Sequence, residues 1–288
     1  MRKKDWSLVF FTTLAQLSVG IILWFTFAGY FYNDMGLLIE TGLSTRNPVL
    51  LALVFVGVAT VVSFLHLGKP ANAPNALNNL SGSWLSREIL ALGIYAVSLI
   101  IVLALGWNTG NTEKLKYLLA PSSVLGLALL WMMIRIYVIP TIPAWHSWYT
   151  PLSFISTAIC LGLLVYLTFQ YAGTASNDWR LIKKLLFFLM LVLFTESISG
   201  FFHQSQLEKL NTGIDELVFD QGVFYKTFLL RMGLLTIAFL VVFMVVLDPG
   251  LLSGEDYFFW LYPLMVLIIV EEILGRLLFY STYFRIGV

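Results

Sequence analysis

The chain has 288 residues, of which 59% are hydrophobic and only 11% are charged. Soluble domains carry about 25% charged residues, so this composition excludes an ordinary soluble protein and indicates a membrane protein. The net charge of +1 at pH 7 gives no indication of a nucleic-acid partner. The single cysteine, Cys160, cannot form an internal disulfide or hold an iron–sulfur cluster, which needs about four ligands.

Eight long apolar runs follow one another in the sequence. A helix needs about 20 apolar residues to cross the hydrocarbon core of a bilayer, and each run approaches that length. The predicted spans cover residues 6–32, 48–67, 89–107, 117–138, 151–171, 185–202, 222–247 and 257–284. None shows the alternation expected of a membrane β-barrel. The sequence therefore predicts an all-α integral membrane protein with eight transmembrane helices in one domain, residues 1–288, and no soluble domain.

All three histidines fall on the side of the membrane that holds the two termini. His66 ends the second span, His146 lies in the connection after the fourth, and His203 ends the sixth. A pair of haems stacked across a membrane needs four axial ligands, so three histidines at one rim exclude such a pair. A single haem at that rim stays open from the residues alone, but the sequence favours none.

His66 and Glu88 are the polar residues that most suggest a site. His66 lies where the second span meets a loop rich in glycine and proline, and a neutral imidazole there can accept a quinol hydroxyl proton. Glu88 lies at the predicted start of the third span on the same side. The alternative is that His66 is an ordinary interfacial residue and that Glu88 interacts with the helix dipole.

Charged residues inside the predicted spans need partners or a task, because each costs at least about 2.5 kcal/mol on insertion scales. Glu196 lies in the sixth span and Arg231 in the seventh; Glu272 and Arg276, four residues apart in the eighth, can pair. One interpretation is structural ion pairing, such as Glu196 with Arg231 or Arg135. The other is a proton path or a quinone headgroup site.

Seven short elements occur in order from the second span to the eighth. They are residues 64–70 (FLHLGKP), 75–80 (NALNNL), 85–89 (LSREI), 131–137 (WMMIRIY), 141–145 (TIPAW), 148–152 (WYTPL) and 272–280 (EILGRLLFY). This ordered set resembles the membrane anchor subunits of anaerobic dimethyl sulfoxide reductase, a family within the polysulfide-reductase-like membrane subunits. Length and span count match too, so the resemblance covers nearly the whole sequence.

The resemblance implies a role in anaerobic respiration. Such an anchor binds menaquinol near the outer face of the bacterial inner membrane, oxidises it and carries no haem. It passes the electrons to a four-cluster iron–sulfur subunit and then to a molybdopterin catalytic subunit that reduces dimethyl sulfoxide or an N-oxide. The three subunits form a heterotrimer. The resemblance also implies that both termini and the His66 rim are periplasmic. The basic residues of the connections alone favour this orientation, whereas Arg2, Lys3 and Lys4 favour the reverse, so the total charge decides neither.

The resemblance further implies which residues act on the quinol. The histidine of the His-Leu-Gly element and the glutamate of the Arg-Glu-Ile element correspond to His66, beside Gly68, and to Glu88. Our hypothesis adds Arg135, which would polarise a quinone oxygen. We expect no metal site. Three alternatives stay open: an anchor for polysulfide, thiosulfate or tetrathionate reduction, an anchor that binds no quinol, and a proton-coupled transporter that uses the charges inside the spans.

Overall fold

The structure is a computed structural model that describes residues 5–31, 46–65, 75, 77–106, 112–173, 179–212, 221–248 and 257–283. Within these ranges the protein forms helices joined by turns and contains no strand. The helices are α1 (Asp5–Phe31), α2 (Arg46–Phe64), α3 (Trp84–Gly106), α4 (Thr112–Tyr137), α5 (Tyr149–Gly173), α6 (Trp179–Thr212), α7 (Gln221–Leu247) and α8 (Tyr257–Ser281). The all-α prediction is confirmed.

Six of these helices, α1 and α3 to α7, are long and apolar enough to cross a membrane. Helix α2 has a shorter apolar stretch, Pro48–Phe64, and α8 carries Glu271, Glu272 and Arg276 among its apolar residues. The molecule is therefore a multi-pass membrane protein. The number of eight crossings and the organisation as one domain stay predictions.

Two helix boundaries differ from the predicted spans in ways that matter for the candidate site. Helix α3 begins at Trp84 rather than at residue 89, because the Ser83 hydroxyl accepts a hydrogen bond from the Ser86 amide at 3.3 Å, as a helix N-cap does. Glu88 is thus the fifth residue of α3, beyond its first turn. Helix α6 has 34 residues and continues to Thr212, so His203 lies inside it rather than at its end.

The molecule divides into two compact units. The N-terminal unit comprises Arg2–Ile136 and Leu161–Asn177, which include α1 to α4 and the second half of α5. In this unit α1 is largely buried and packs against α2. The Ser18 hydroxyl lies 2.7 Å from the Ala52 carbonyl oxygen and 3.1 Å from the Tyr95 hydroxyl, so one polar cluster joins three helices.

The C-terminal unit comprises Tyr137–Cys160 and the described residues between Asp178 and Val288. Helix α7 packs against both α6 and α8. The connection between α4 and α5 is fastened to α8, since the Trp145 indole donates a hydrogen bond to the Phe279 carbonyl oxygen at 2.8 Å and the two rings stack. The sequence elements 141–145 and 272–280 therefore contact each other.

Candidate functional site

Two of the residues predicted to bind quinol, His66 and Gly68, lie outside the described residues. The described part ends at Leu65 on one side of this segment and resumes at residue 75. Their roles stay predictions, whereas the two other residues predicted to bind quinol, Glu88 and Arg135, are described.

Glu88 is buried in the N-terminal unit, with only 4% of its surface exposed. Its Oε1 atom has no hydrogen-bond partner among the described residues, nor does any cation in the described ranges form a salt bridge with it. A buried acceptor without a donor is costly, by about 1–3 kcal/mol and more for a charged group. Within the described residues, this oxygen is therefore an unused hydrogen-bond acceptor.

The rim around Glu88 is rigidly built. Arg87 donates hydrogen bonds to the carbonyl oxygens of Leu80 and Ser81 at 2.7 and 2.6 Å, which fastens the preceding turn to α3. Trp84 precedes Glu88 by four residues and so lies on the same helix face. The guanidinium of Arg135, at the end of α4, lies 4.9 Å from the centre of the Trp84 ring. The structure thus brings Arg135 to the face of α3 that carries Glu88.

A second group of charges lies in the C-terminal unit, around Arg231 of α7. This side chain is 3% exposed. Its guanidinium donates three hydrogen bonds: to Glu271 Oε1 at 2.7 Å, to Glu196 Oε1 at 3.0 Å and to the Tyr149 hydroxyl at 2.6 Å. Arg231 therefore connects α5, α6 and α8. Of the two partners that the sequence suggested for Glu196, Arg231 and Arg135, the structure shows Arg231.

Arg276 and Glu272 of α8 meet at Thr157 of α5. The Thr157 hydroxyl lies 2.7 Å from Glu272 Oε2 and 2.8 Å from Arg276 Nη2, so it bridges the two charged groups. Arg276 also donates to the Ser153 carbonyl oxygen at 3.0 Å and lies 3.9 Å from the centre of the Phe154 ring. The favourable contacts of Arg276 thus extend over a full turn of α5.

We call Glu196, Arg231, Glu271, Glu272 and Arg276 the charged cluster. All five are at most 3% exposed, and three carboxyl groups face two guanidinium groups. Each carboxyl group keeps one oxygen without a hydrogen-bond partner among the described residues. The cluster therefore has spare acceptors and can hold a further donor or a proton.

The cluster also has ligand atoms close enough for a metal ion. The Cys160 thiol and the Glu196 and Glu272 carboxyl groups each place one such atom within 4.8 Å of the others. However, Arg231 and Thr157 already occupy one oxygen of each carboxylate, and the two guanidinium groups supply positive charge. We therefore assign no metal to this position.

Several polar residues of this region were not singled out from the sequence. Tyr149 binds Arg231 and stacks on His203, with ring centres 4.2 Å apart. His203, Tyr149 and Arg231 line a cavity of about 20 Å³ in the C-terminal unit, roughly the volume that one water molecule needs. Ser156 and Thr157 reach the carboxylates. The only signal in the sequence was the position of 148–152 within one of the resembling elements.

Comparisons with known proteins agree with the resemblance. The profile of the family described as DMSO reductase anchor subunit (DmsC) matches residues 1–282. The sequence is 27% identical to the C subunit of the anaerobic dimethyl sulfoxide reductase of Escherichia coli (strain K12), over 98% of the present sequence and 96% of that protein. It is 29% identical to the C subunit of the same reductase of Haemophilus influenzae (strain ATCC 51907 / DSM 11121 / KW20 / Rd), over 97% and 95%.

A third relative matches a shorter part. The YnfH subunit of an anaerobic dimethyl sulfoxide reductase of E. coli K12 is 32% identical over 55% of each protein. The family profile covers nearly the full length, and the two C-subunit relatives are matched over almost their whole length. This protein therefore belongs to the DMSO reductase anchor subunit family.

Proposed function

We propose that this membrane anchor binds menaquinol at the rim formed by His66 and Glu88 and oxidises it for the reductase complex. The observation that carries the proposal is the buried Glu88, whose Oε1 atom has no partner among the described residues although the surrounding turn is well ordered by hydrogen bonds. A quinol hydroxyl is an uncharged donor that can reach such a group from the lipid phase.

The chemistry at this rim requires two proton acceptors and one electron acceptor. Oxidation of a quinol to a quinone releases two electrons and two protons. In our proposal His66 accepts one hydroxyl proton and Glu88 accepts the other, directly or through water, while Arg135 polarises a quinone oxygen. The electrons leave to a four-cluster iron–sulfur partner subunit and then to a molybdopterin subunit that reduces dimethyl sulfoxide or an N-oxide.

The proposal includes a location and a topology. We place the protein in the bacterial inner membrane, where it crosses the bilayer eight times as part of a heterotrimer. Both termini and the His66 rim face the periplasm, so the iron–sulfur subunit docks on that face. The described helices support the topology in part, since six of the eight meet the length and composition of a membrane span.

The test is Glu88→Gln in the intact complex, which preserves size and hydrogen bonding but removes the proton acceptor. We expect reduction of dimethyl sulfoxide driven by a menaquinol analogue to fall about 100-fold or more, the usual contribution of a general base. Reduction driven by a water-soluble reduced viologen, which bypasses the quinol, should be unchanged. His66→Ala should behave in the same way.

Glu208→Gln is the matched control, because Glu208 of α6 is an exposed carboxylate that accepts a hydrogen bond from Gln204 at 3.2 Å. It should keep both activities. If Glu88→Gln retained full quinol-driven activity, Glu88 would not be a proton acceptor. If it lost both activities equally, its role would be structural.

A further inference from the structure

A crevice of about 220 Å³ lies between α5 and α6 in the C-terminal unit. Its walls are apolar and include Leu152, Ile155, Ile159, Phe188, Leu191 and Val192. Ile155 and Leu191 are 43% and 46% exposed, so this part of the crevice opens at the surface of the unit. Both helices qualify as membrane spans, and the opening is therefore one that a lipid-soluble molecule can enter.

The inner end of the crevice is polar. Ser156 and Glu196 line it and are only 6% and 1% exposed. Glu196 Oε1 accepts from Ser156 at 3.2 Å and from Arg231 at 3.0 Å. Glu196 Oε2 is buried and has no hydrogen-bond partner in the described part of the protein. A molecule that donates one hydrogen bond would satisfy it.

The position of this acceptor limits the kind of donor. Ser156 lies seven residues inside α5, which begins at Tyr149, and at a rise of 1.5 Å per residue this is about 10 Å from the helix end. The charged and zwitterionic headgroups of phospholipids stay at the interface, and water-soluble ligands do not enter the hydrocarbon. The donor must therefore be an uncharged polar group on an otherwise apolar molecule.

We propose that the α5–α6 crevice binds the head of a lipid-soluble hydroquinone, which donates one hydroxyl to Glu196 Oε2. The choice of a hydroquinone rests on the proposed function, which makes quinol the amphiphile that the complex uses. The crevice uses none of the residues of the Glu88 rim, so it is an additional binding site. Its carboxylate is already bound by Arg231, which suits it to hold a hydroxyl group rather than to remove a proton.

An acyl tail of a bilayer lipid is the competing occupant. It would fill the apolar walls equally well, but it has no donor and would leave Glu196 Oε2 unsatisfied. Competition therefore distinguishes the two occupants. In a hydroquinone site, a hydroxyl-bearing ring is displaced by excess quinol but not by excess phospholipid.

The test uses a photoreactive azido-hydroquinone on the purified complex in lipid nanodiscs, with the labelled peptides identified by mass spectrometry. Ile155→Trp places an indole in the crevice. Ile198→Trp is the matched control, since Ile198 of α6 is 42% exposed and does not line the crevice. We expect label in residues 149–160 or 188–196 of the wild type and of Ile198→Trp, and about tenfold less in Ile155→Trp. Excess menaquinol should remove the label and excess phospholipid should not.

Equal labelling of Ile155→Trp and Ile198→Trp, no label in either segment, or displacement by phospholipid would overturn the inference. Should Ile155→Trp fail to assemble, Leu191→Trp serves instead, with Leu240→Trp on α7 as its control, since these leucines are 46% and 50% exposed. Failure here leaves the proposed function untouched, because that is judged by the quinol-driven turnover of Glu88→Gln.

Discussion

Gly275 of α8 gives a sharp test of whether the charged cluster is rigid. A Cβ atom added at this position would lie 2.8 Å from Arg231 Cζ and 2.9 Å from Arg231 Nε, whereas ordinary van der Waals contact begins at 3.4 Å. The Arg231 guanidinium would have to move by about half an ångström or more. It is held by Glu271, Glu196 and Tyr149 at 2.7, 3.0 and 2.6 Å, so any movement lengthens at least one of these hydrogen bonds.

The size of the effect follows from two opposing contributions. Crowding of a well-packed interior, here including the lengthening of one hydrogen bond, costs about 1–3 kcal/mol. Replacing glycine by alanine inside a helix stabilises the folded state by about 0.5–1 kcal/mol. We therefore expect Gly275→Ala to lower the free energy of unfolding by about 1–2 kcal/mol. At about 2–4 °C per kcal/mol, the midpoint of thermal unfolding should fall by a few degrees.

The assay is the thermal unfolding midpoint of the complex in one detergent. Unfolding is followed by near-UV circular dichroism, and a reporter on α8 follows the C-terminal unit specifically. Gly233→Ala on α7 is the control, because a Cβ atom there meets nothing within 4 Å. It should leave the midpoint unchanged or raise it slightly. If Gly275→Ala were as stable as Gly233→Ala, the guanidinium would be free to relax, and the idea of a rigid cluster centred on Arg231 would fail.

Two further substitutions test the packing inside each unit. Gly162→Ala should destabilise the N-terminal unit by more than Gly275→Ala destabilises the C-terminal unit. Its Cβ would come within 2.6 Å of Gly20 Cα and closer to the Gly20 carbonyl group, and backbone atoms cannot move away as flexible side chains do. A wild-type thermal midpoint for this variant would show that α1 and α5 separate easily. Arg231→Met should lower the free energy of unfolding by about 3–5 kcal/mol, because it leaves two buried carboxylates without their shared cation. A normal yield and thermal midpoint of this variant would indicate that the carboxyl groups are uncharged.

Much of the fold was predictable because apolar length and charge burial are strong constraints. The apolar runs predicted the helical class. The cost of isolated charges indicated that Glu196 pairs with Arg231 or Arg135, and it pairs with Arg231 at 3.0 Å. Helix ends were less predictable. Helix α6 continues for ten residues past the predicted end at Phe202, since polar residues such as Gln204 and Glu208 support a helix beyond the hydrocarbon as well as inside it.

The hydroxyl residues of the charged cluster could not be predicted from the pattern. A serine or threonine in an apolar helix usually bonds to its own backbone, as Thr168 does to the Leu164 carbonyl oxygen at 2.8 Å. Thr157 does the same with Ser153 at 2.7 Å and is also within hydrogen-bond distance of Glu272. Nothing in the local sequence separates the two cases, because the difference lies in which helix packs opposite. The roles predicted for His66 and Gly68 rest on the sequence and the family resemblance, because both residues lie outside the described ranges.

Glu88 and Glu196 are both buried glutamates with one oxygen lacking a partner among the described residues, but their surroundings suit different tasks. The carboxyl group of Glu196 is paired with Arg231, so a proton taken from a ligand would weaken the ion pair that joins α6 to α7. In the described ranges Glu88 has no such salt bridge, and a proton added there breaks none. Glu196 is therefore suited to binding a quinol hydroxyl in the crevice, and Glu88 is suited to accepting a proton from a quinol at its own rim. The two substitutions should therefore have separate effects: Glu88→Gln should lower quinol-driven turnover about 100-fold or more, whereas Ile155→Trp should lower labelling of the crevice about tenfold.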